Sequence, residues 1–179
     1  MKKIFAIAII GLALASCKKS SSGLGSNAIQ ATIGGNTATF NILTTGEVRD
    51  SGKDIILSAY DGTNTTTANS ISININGDKA ITTGTYSDTI TTLLPHATSN
   101  FSWTEAATID GNSSYWTSIG LVSSPINITV TSITSTEIMG TFQGSIYLAP
   151  QGGFPPADST DFKHAVTNGK FAVTLTKKY

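Results

Sequence analysis

From Ala28 to Leu175 apolar and polar residues alternate with a period of two, and no stretch shows the three-to-four spacing of an amphipathic helix. The cleanest case is residues 69–76, where Ile71, Ile73 and Ile75 take one face and Ser70, Ser72, Asn74 and Asn76 the other. Residues 126–133 repeat the pattern, with Ile126, Ile128 and Val130 against Asn127, Thr129 and Thr131. The same spacing predicts strands over 28–33, 37–48, 53–60, 84–87, 99–109, 113–121 and 137–149. Gly34-Gly35-Asn36, residues 49–52, Asn76-Gly77-Asp78 and Thr134 to Thr136 punctuate them as turns. Asp110-Gly111 predicts a hairpin carrying Trp103 on one arm and Tyr115 and Trp116 on the other. Asn168-Gly169 predicts a last hairpin between 162–166 and 170–175. Residues 88–98 and 152–158 read as connections. About ten short strands with closely spaced turns argue for an all-β fold, an antiparallel β-sandwich or barrel-like single domain.

The first 27 residues follow another pattern. Met1-Lys2-Lys3 is a positive start, residues 4–15 are an apolar run, and Leu14-Ala15-Ser16 leads into Cys17. This is the layout of a signal peptide over residues 1–16. The run is shorter than the roughly 20 apolar residues that cross a bilayer, and Lys18-Lys19 ends it. Leu14-Ala15-Ser16-Cys17 resembles the bacterial lipobox at all four positions. That resemblance implies cleavage before Cys17, a diacylglyceryl thioether on its sulfur and fatty acylation, such as palmitate, of the new terminus. One acyl chain holds a protein marginally to a membrane, and two or more hold it firmly. Residues 17–27, the lipidated cysteine and a Ser/Gly-rich stretch, then form a flexible tether. The domain occupies 28–179.

Composition narrows the picture. Removing 16 of 179 residues leaves 163, enough for one domain with a real core. Cys17 is the only cysteine, so no disulfide braces the body. Charged residues make up 12%, and Thr, Ser and Asn replace them. Such a chain, rich in β-branched residues, folds rather than staying disordered. The formal charge of zero conceals an acidic domain. Between the terminal lysines, Arg49, Lys53, Lys79, Lys163 and Lys170 stand against all 11 acidic residues, a balance of −6. Nucleic acid is therefore not an expected partner.

A further pattern runs through the C-terminal half. Gly84-Thr-Tyr86 is followed by the aromatic hairpin at 101–116, by Gly140-Thr-Phe142-Gln-Gly144, and by the closing Asn168-Gly169-Lys-Phe171. With the lipobox, this resembles the small all-β envelope lipoproteins of Bacteroidetes grouped as a domain of unknown function, DUF6252. The resemblance implies a lipid-anchored β domain of the cell envelope and brings no activity. It also suggests an Asp-Ser/Thr glycosylation pattern at Asp88-Thr89-Ile90 and Asp158-Ser159-Thr160, with Thr89 and Ser159 as acceptors. By the same analogy Lys18, where inner-membrane retention uses Asp, implies the outer membrane. The absence of an acidic cluster after Cys17 leans toward its periplasmic side, and the face stays undecided.

The chemistry is sparse. His96 and His164 are far apart and read as surface loop residues, so no metal site and no cofactor is expected. Asp61-Gly-Thr-Asn64 and Asn76-Gly-Asp78 offer oxygen ligands without the spacing of a calcium loop. There is no G-x-S-x-G elbow, and no spacing nominates a pair of carboxylates. The expected role is therefore non-enzymatic, binding or structural. Partners are the membrane, through lipid at Cys17, and a glycan or envelope protein. Trp103, Tyr115 and Trp116 are the candidate stacking residues for a carbohydrate-binding module of a glycan-uptake system, because aromatic faces stack on sugar rings. Cross-strand core packing is the competing account of them. Tyr115 and Trp116 are adjacent, so a strand sends them to opposite faces. A hydrolase assembled by folding is the third alternative.

Overall fold

The computed structural model describes residues 23–87, 98–105, 114–118, 126–148 and 163–177, with the side chains of 98–101 and 114 left aside. The signal segment, Cys17, Thr89, His96, the Asp110-Gly111 turn and Ser159 lie outside these residues.

Eleven strands form among them: β1 Ala28–Ile33, β2 Asn36–Phe40, β3 Ile42–Arg49, β4 Asp54–Tyr60, β5 Ser70–Asn76, β6 Gly84–Ser87, β7 Thr98–Glu105, β8 Ser114–Thr117, β9 Asn127–Ile133, β10 Glu137–Leu148 and β11 Lys163–Lys177. No helix among the described residues is long and apolar enough to cross a membrane. The all-β expectation holds. The strands run in the order β2-β1-β11-β3-β4-β5-β7-β8-β10-β9-β6, and β10 also pairs with β11. That extra pairing closes β11-β3-β4-β5-β7-β8-β10 into a barrel-like ring. Two wings remain outside it. β1 and β2 continue from the edge of β11 that β3 also uses, and β9 and β6 from the edge of β10 that β8 also uses. One pairing departs from the antiparallel expectation: Leu175, Thr176 and Lys177 of β11 run parallel to Gly46, Glu47 and Val48 of β3. Gly46 allows the close approach there, since a Cβ on it would lie 2.6 Å from the Thr174 carbonyl oxygen.

The core follows the alternation. Ile55, Leu57 and Ala59 of β4 and Ile71, Ile73 and Ile75 of β5 are buried. They meet Ile128 and Val130 of β9, Ile138, Phe142 and Ile146 of β10, and Val166, Phe171, Val173 and Leu175 of β11 in one cluster. Between the two longest strands the register sets Gly140 opposite Phe171 and Phe142 opposite Gly169. Each ring lies over the glycine of the facing strand. A Cβ on Gly140 would sit 2.2 Å from the Thr129 carbonyl oxygen and 2.4 Å from the Phe171 ring. One on Gly169 would sit 2.3 Å from the Phe142 carbonyl oxygen and 2.6 Å from its ring. The two rings stack at 6.4 Å between centroids.

Two expected elements take another form. Asn168-Gly169 makes no hairpin, and residues 163–177 are one strand. Asn168 adopts φ 53°, and the register of β11 slips against both neighbours at this point. The residue is the extra one of a β-bulge, whose left-handed position tolerates Asn. The bulge changes the parity of β11. Before it the even-numbered Val166 faces inward, and after it the odd-numbered Gly169, Phe171, Val173 and Leu175 do. The single strand expected over 37–48 is likewise two, β2 and β3, parted at Asn41. Here the chain leaves the wing for the ring. Phe40 stays in the core, and Leu43, at φ 47°, turns out 64% exposed.

Gly140→Ala and Gly169→Ala should each lower stability by about 1–3 kcal/mol, as overpacking does. For a chain of this size that is roughly 2–4 °C in Tm per kcal/mol. Gly25→Ala, with open space around it, should stay within about 0.5 kcal/mol of the parent. Thermal unfolding of the three variants side by side checks the interlock.

Candidate functional site

The candidate stacking residues come together at one end of the ring. The register pairs Trp103 of β7 with Trp116 of β8, and Thr104 with Tyr115. Strand alternation then sends Tyr115 outward, 44% exposed, and Trp116 inward, 7% exposed. Trp103 is half-buried and packs against the core cluster. The two indoles lie 6.1 Å apart, tilted by 32°. His164 joins them from β11, stacked on Trp116 at 4.0 Å and 27°, and 6.1 Å from Trp103. The surface-loop reading of His164 is thus corrected: it is a half-buried strand residue in an aromatic cluster. It lies over Gly34, where a Cβ would come 2.9 Å from its Nδ1. The Gly34 amide donates to the Ala165 carbonyl at 3.1 Å and fixes that approach. Both indole Nε1 atoms are buried with no hydrogen-bond partner among the described residues. An unmet buried donor costs about 1–3 kcal/mol, so packing alone holds this cluster. Among the described residues it offers no broad open aromatic face.

The loop oxygens serve the fold. Asp61 accepts hydrogen bonds from the Asn69 amide at 2.8 Å and from its side chain at 2.6 Å. Asn64 Oδ1 accepts from the Thr66 amide at 3.1 Å and hydroxyl at 2.9 Å. Among the described residues no three of His, Cys, Asp and Glu gather at metal-binding distance. Glu47 and Arg49 form an ion pair on the surface of β3.

A different site lies at the opposite end of β11. A cavity of about 590 Å³ opens there between the ends of β3, β9 and β11. Its walls are Val48, Ile55, Ile81, Ile133 and Leu175, and its rim carries Asp50, Ser51, Thr134, Ser135 and Lys177. Ligand pockets run from roughly 300 to 1,000 Å³, mostly apolar with a few polar groups at the mouth. Local geometry builds the rim. Asp50, Ser51 and Gly52 follow one another at φ 43°, 55° and 91°, a left-handed turn. The Gly52 carbonyl accepts from the Ile81 amide at 2.8 Å and the Lys53 carbonyl from the Gly77 amide at 2.8 Å. Those bonds tie residues 77–81 to the mouth and bring Ile81 to its wall. On the other side the Thr134 hydroxyl accepts from the Glu137 amide at 3.0 Å, closing the turn from β9 to β10. The lining residues are scattered from 48 to 177, so no local motif announces the cavity. The nearest signal was the polar turn at 49–52.

A second, smaller hollow of about 330 Å³ lies over the bulge. Asn127, Thr129, Gln143, Asn168 and Lys170 line it.

Trp116→Ala should destabilise the domain by about 3–5 kcal/mol, the cost of emptying a buried aromatic site. Tyr115→Ala should change stability by no more than about 0.5 kcal/mol, as an exposed substitution does. Urea unfolding curves of the two variants read the difference directly.

In comparisons with known proteins no family model, no curated protein and no solved structure matches this chain, so its functional reading stands on its own residues.

Proposed function

We propose that this chain is a lipid-anchored protein of the bacterial outer membrane, of the DUF6252-like envelope kind, whose β domain binds rather than turns over a substrate. The observation that carries this reading is the apolar segment that ends in Leu14-Ala15-Ser16-Cys17, and the junction between tether and fold adds the position of the cavity. Asn27, the last residue before β1, accepts a hydrogen bond through Oδ1 from the Thr174 amide at 2.9 Å. The next residue of β11 is Leu175, a wall of the large cavity. A chain fastened at Cys17 therefore holds its cavity at the tethered end of the domain. Ten peptide steps from Cys17 to Asn27 reach at most about 35 Å, so the junction beside the cavity lies within that distance of the anchored residue.

A carbohydrate-binding role is the second reading, and it rests on Tyr115 and the polar hollow at the bulge. Sugar recognition uses an open aromatic face. Trp116 is buried, and Trp103 leans on it. That leaves Tyr115 as the exposed aromatic of the three, which favours the first reading.

The native protein, purified from envelope membranes and weighed by mass spectrometry, should lack residues 1–16 and carry acyl mass on Cys17. Cys17→Ser should move it from the membrane fraction to the soluble one. A native protein with a free Cys17 thiol sinks the anchoring half of the reading. The same spectrum reads glycan mass on peptides holding Thr89 or Ser159.

A further inference from the structure

We propose that the 590 Å³ cavity is an acyl-chain site and that its occupant is one fatty-acyl chain of the lipid on Cys17. The inference rests on the anchoring reading for its occupant, and on the cavity alone for its ligand chemistry.

The lining selects the class. Val48, Ile55, Ile81, Ile133 and Leu175 are aliphatic, and among the described residues no aromatic ring lines the space. A sugar or a planar heterocycle would find nothing to stack on. A flexible aliphatic chain finds a wall of its own kind, and its burial needs no directional partner. Ile55, Ile81 and Leu175 belong to the buried core, so the floor of this half-open cavity is the edge of the core itself. The polar groups sit at the mouth. Among the described residues Lys177 and Asp50 are the charged ones there, accompanied by Ser51, Thr134 and Ser135. This suits a chain that enters tail first and leaves a polar end at the rim.

The tether selects the occupant. It joins the fold beside the mouth, through Asn27 on Thr174. Cys17 lies ten residues upstream, within about 35 Å of chain. The chain carrying the lipid therefore begins at the end of the domain where the cavity opens. The aromatic cluster is at the far end of β11, around His164. An acyl chain on Cys17 need travel no further than its own tether to reach the aliphatic walls. Held there, it is shielded from water whenever the protein is out of the bilayer.

Two experiments test this. In the first, the mature chain bearing Cys17→Ser is titrated with cis-parinaric acid, whose fluorescence rises in apolar surroundings. Saturable one-to-one binding, displaced by palmitate, is expected. Ile133→Trp, which fills the space, should weaken it at least tenfold. Lys177→Glu, on an exposed residue that leaves the core intact, should weaken binding of the carboxylate probe severalfold. No saturable binding, or binding indifferent to both variants, overturns the acyl-chain site. In the second, cells are fed a diazirine-bearing palmitate, and the lipidated protein is irradiated after extraction from the membrane. Cross-links from the Cys17 peptide to peptides containing Ile81 or Ile133 are expected. If parinarate binds but the lipidated protein shows no such cross-links and takes up parinarate as well as the lipid-free chain, the occupant comes from another molecule and the assignment to Cys17 falls. An unmodified Cys17 in the native mass spectrum removes the anchoring reading on its own, whatever the parinarate titration gives.

Discussion

The interlock of two Gly-x-Phe segments on neighbouring strands is the contact on which the closed sheet depends. Gly140 faces Phe171 and Gly169 faces Phe142. Each ring needs the space that a side chain on the facing strand would fill. The reciprocity fixes register: a slip by two residues would set Phe142 against Phe171 in one direction or Gly140 against Gly169 in the other, and a slip by one would mate the inward face of one strand with the outward face of its neighbour. Locking β10 to β11 matters because this pairing makes the ring close. Without it the sheet would be an open ribbon with two long edges, the arrangement that invites further pairing. Two features gather around the same few residues. The bulge at Asn168 restores inward parity for Phe171, Val173 and Leu175. The third strand, β9, comes so near Gly140 that the Thr129 carbonyl would touch a Cβ there.

Closure by two shared edges gives the domain unlike ends. At the start of β11 the ring is stitched by β8 to the tip of β10, and Trp103, Trp116 and His164 fill the space. At the other end a short parallel contact joins β11 to β3. There the fillers are small and aliphatic, and the strand ends diverge over a left-handed turn instead of meeting large rings. The same topology is thus plugged at one end and hollow at the other, and side-chain volume makes the difference. Large rings packed against each other leave no room for a guest, whereas Val48, Ile133 and Leu175 do.

Much of this could be read from the chain. Period-two alternation identified β4, β5, β9 and β10 nearly residue by residue, because each has one wet and one dry face. The Gly84-Thr-Tyr86 pattern has a structural cause: the Tyr86 hydroxyl donates to the Thr82 carbonyl at 2.8 Å and accepts from the Thr82 amide at 2.9 Å, cornering the chain into β6. The misreadings share one origin. Asn-Gly serves a hairpin and a bulge equally well, because both need a left-handed residue, and only the neighbours β1 and β10 decide between them at Asn168. His164 looked like a loop residue because its partners come from strands some fifty residues away in sequence. The opposite fates of Tyr115 and Trp116 did follow from adjacency alone. Ring closure, the parallel contact and the cavity depend on pairings between distant residues, and one sequence holds no trace of those.

The position of the tether gives the hollow end a meaning that its volume alone lacks. An aliphatic cavity free in solution is a cost to the fold, since its walls forgo contacts that a filled interior would make. Of the three left-handed residues in a row at its rim, the two that are not glycine, Asp50 and Ser51, add strain of about 1–2 kcal/mol each. A domain selected for stability alone would close such a site with larger side chains, as the far end of the same strand does with tryptophan. Its persistence beside the point where Asn27 joins the fold is explained if the walls are completed by an acyl chain that the chain itself brings. The strain at the rim then holds open an entrance, and the apolar area left bare by the protein becomes the surface that receives the lipid.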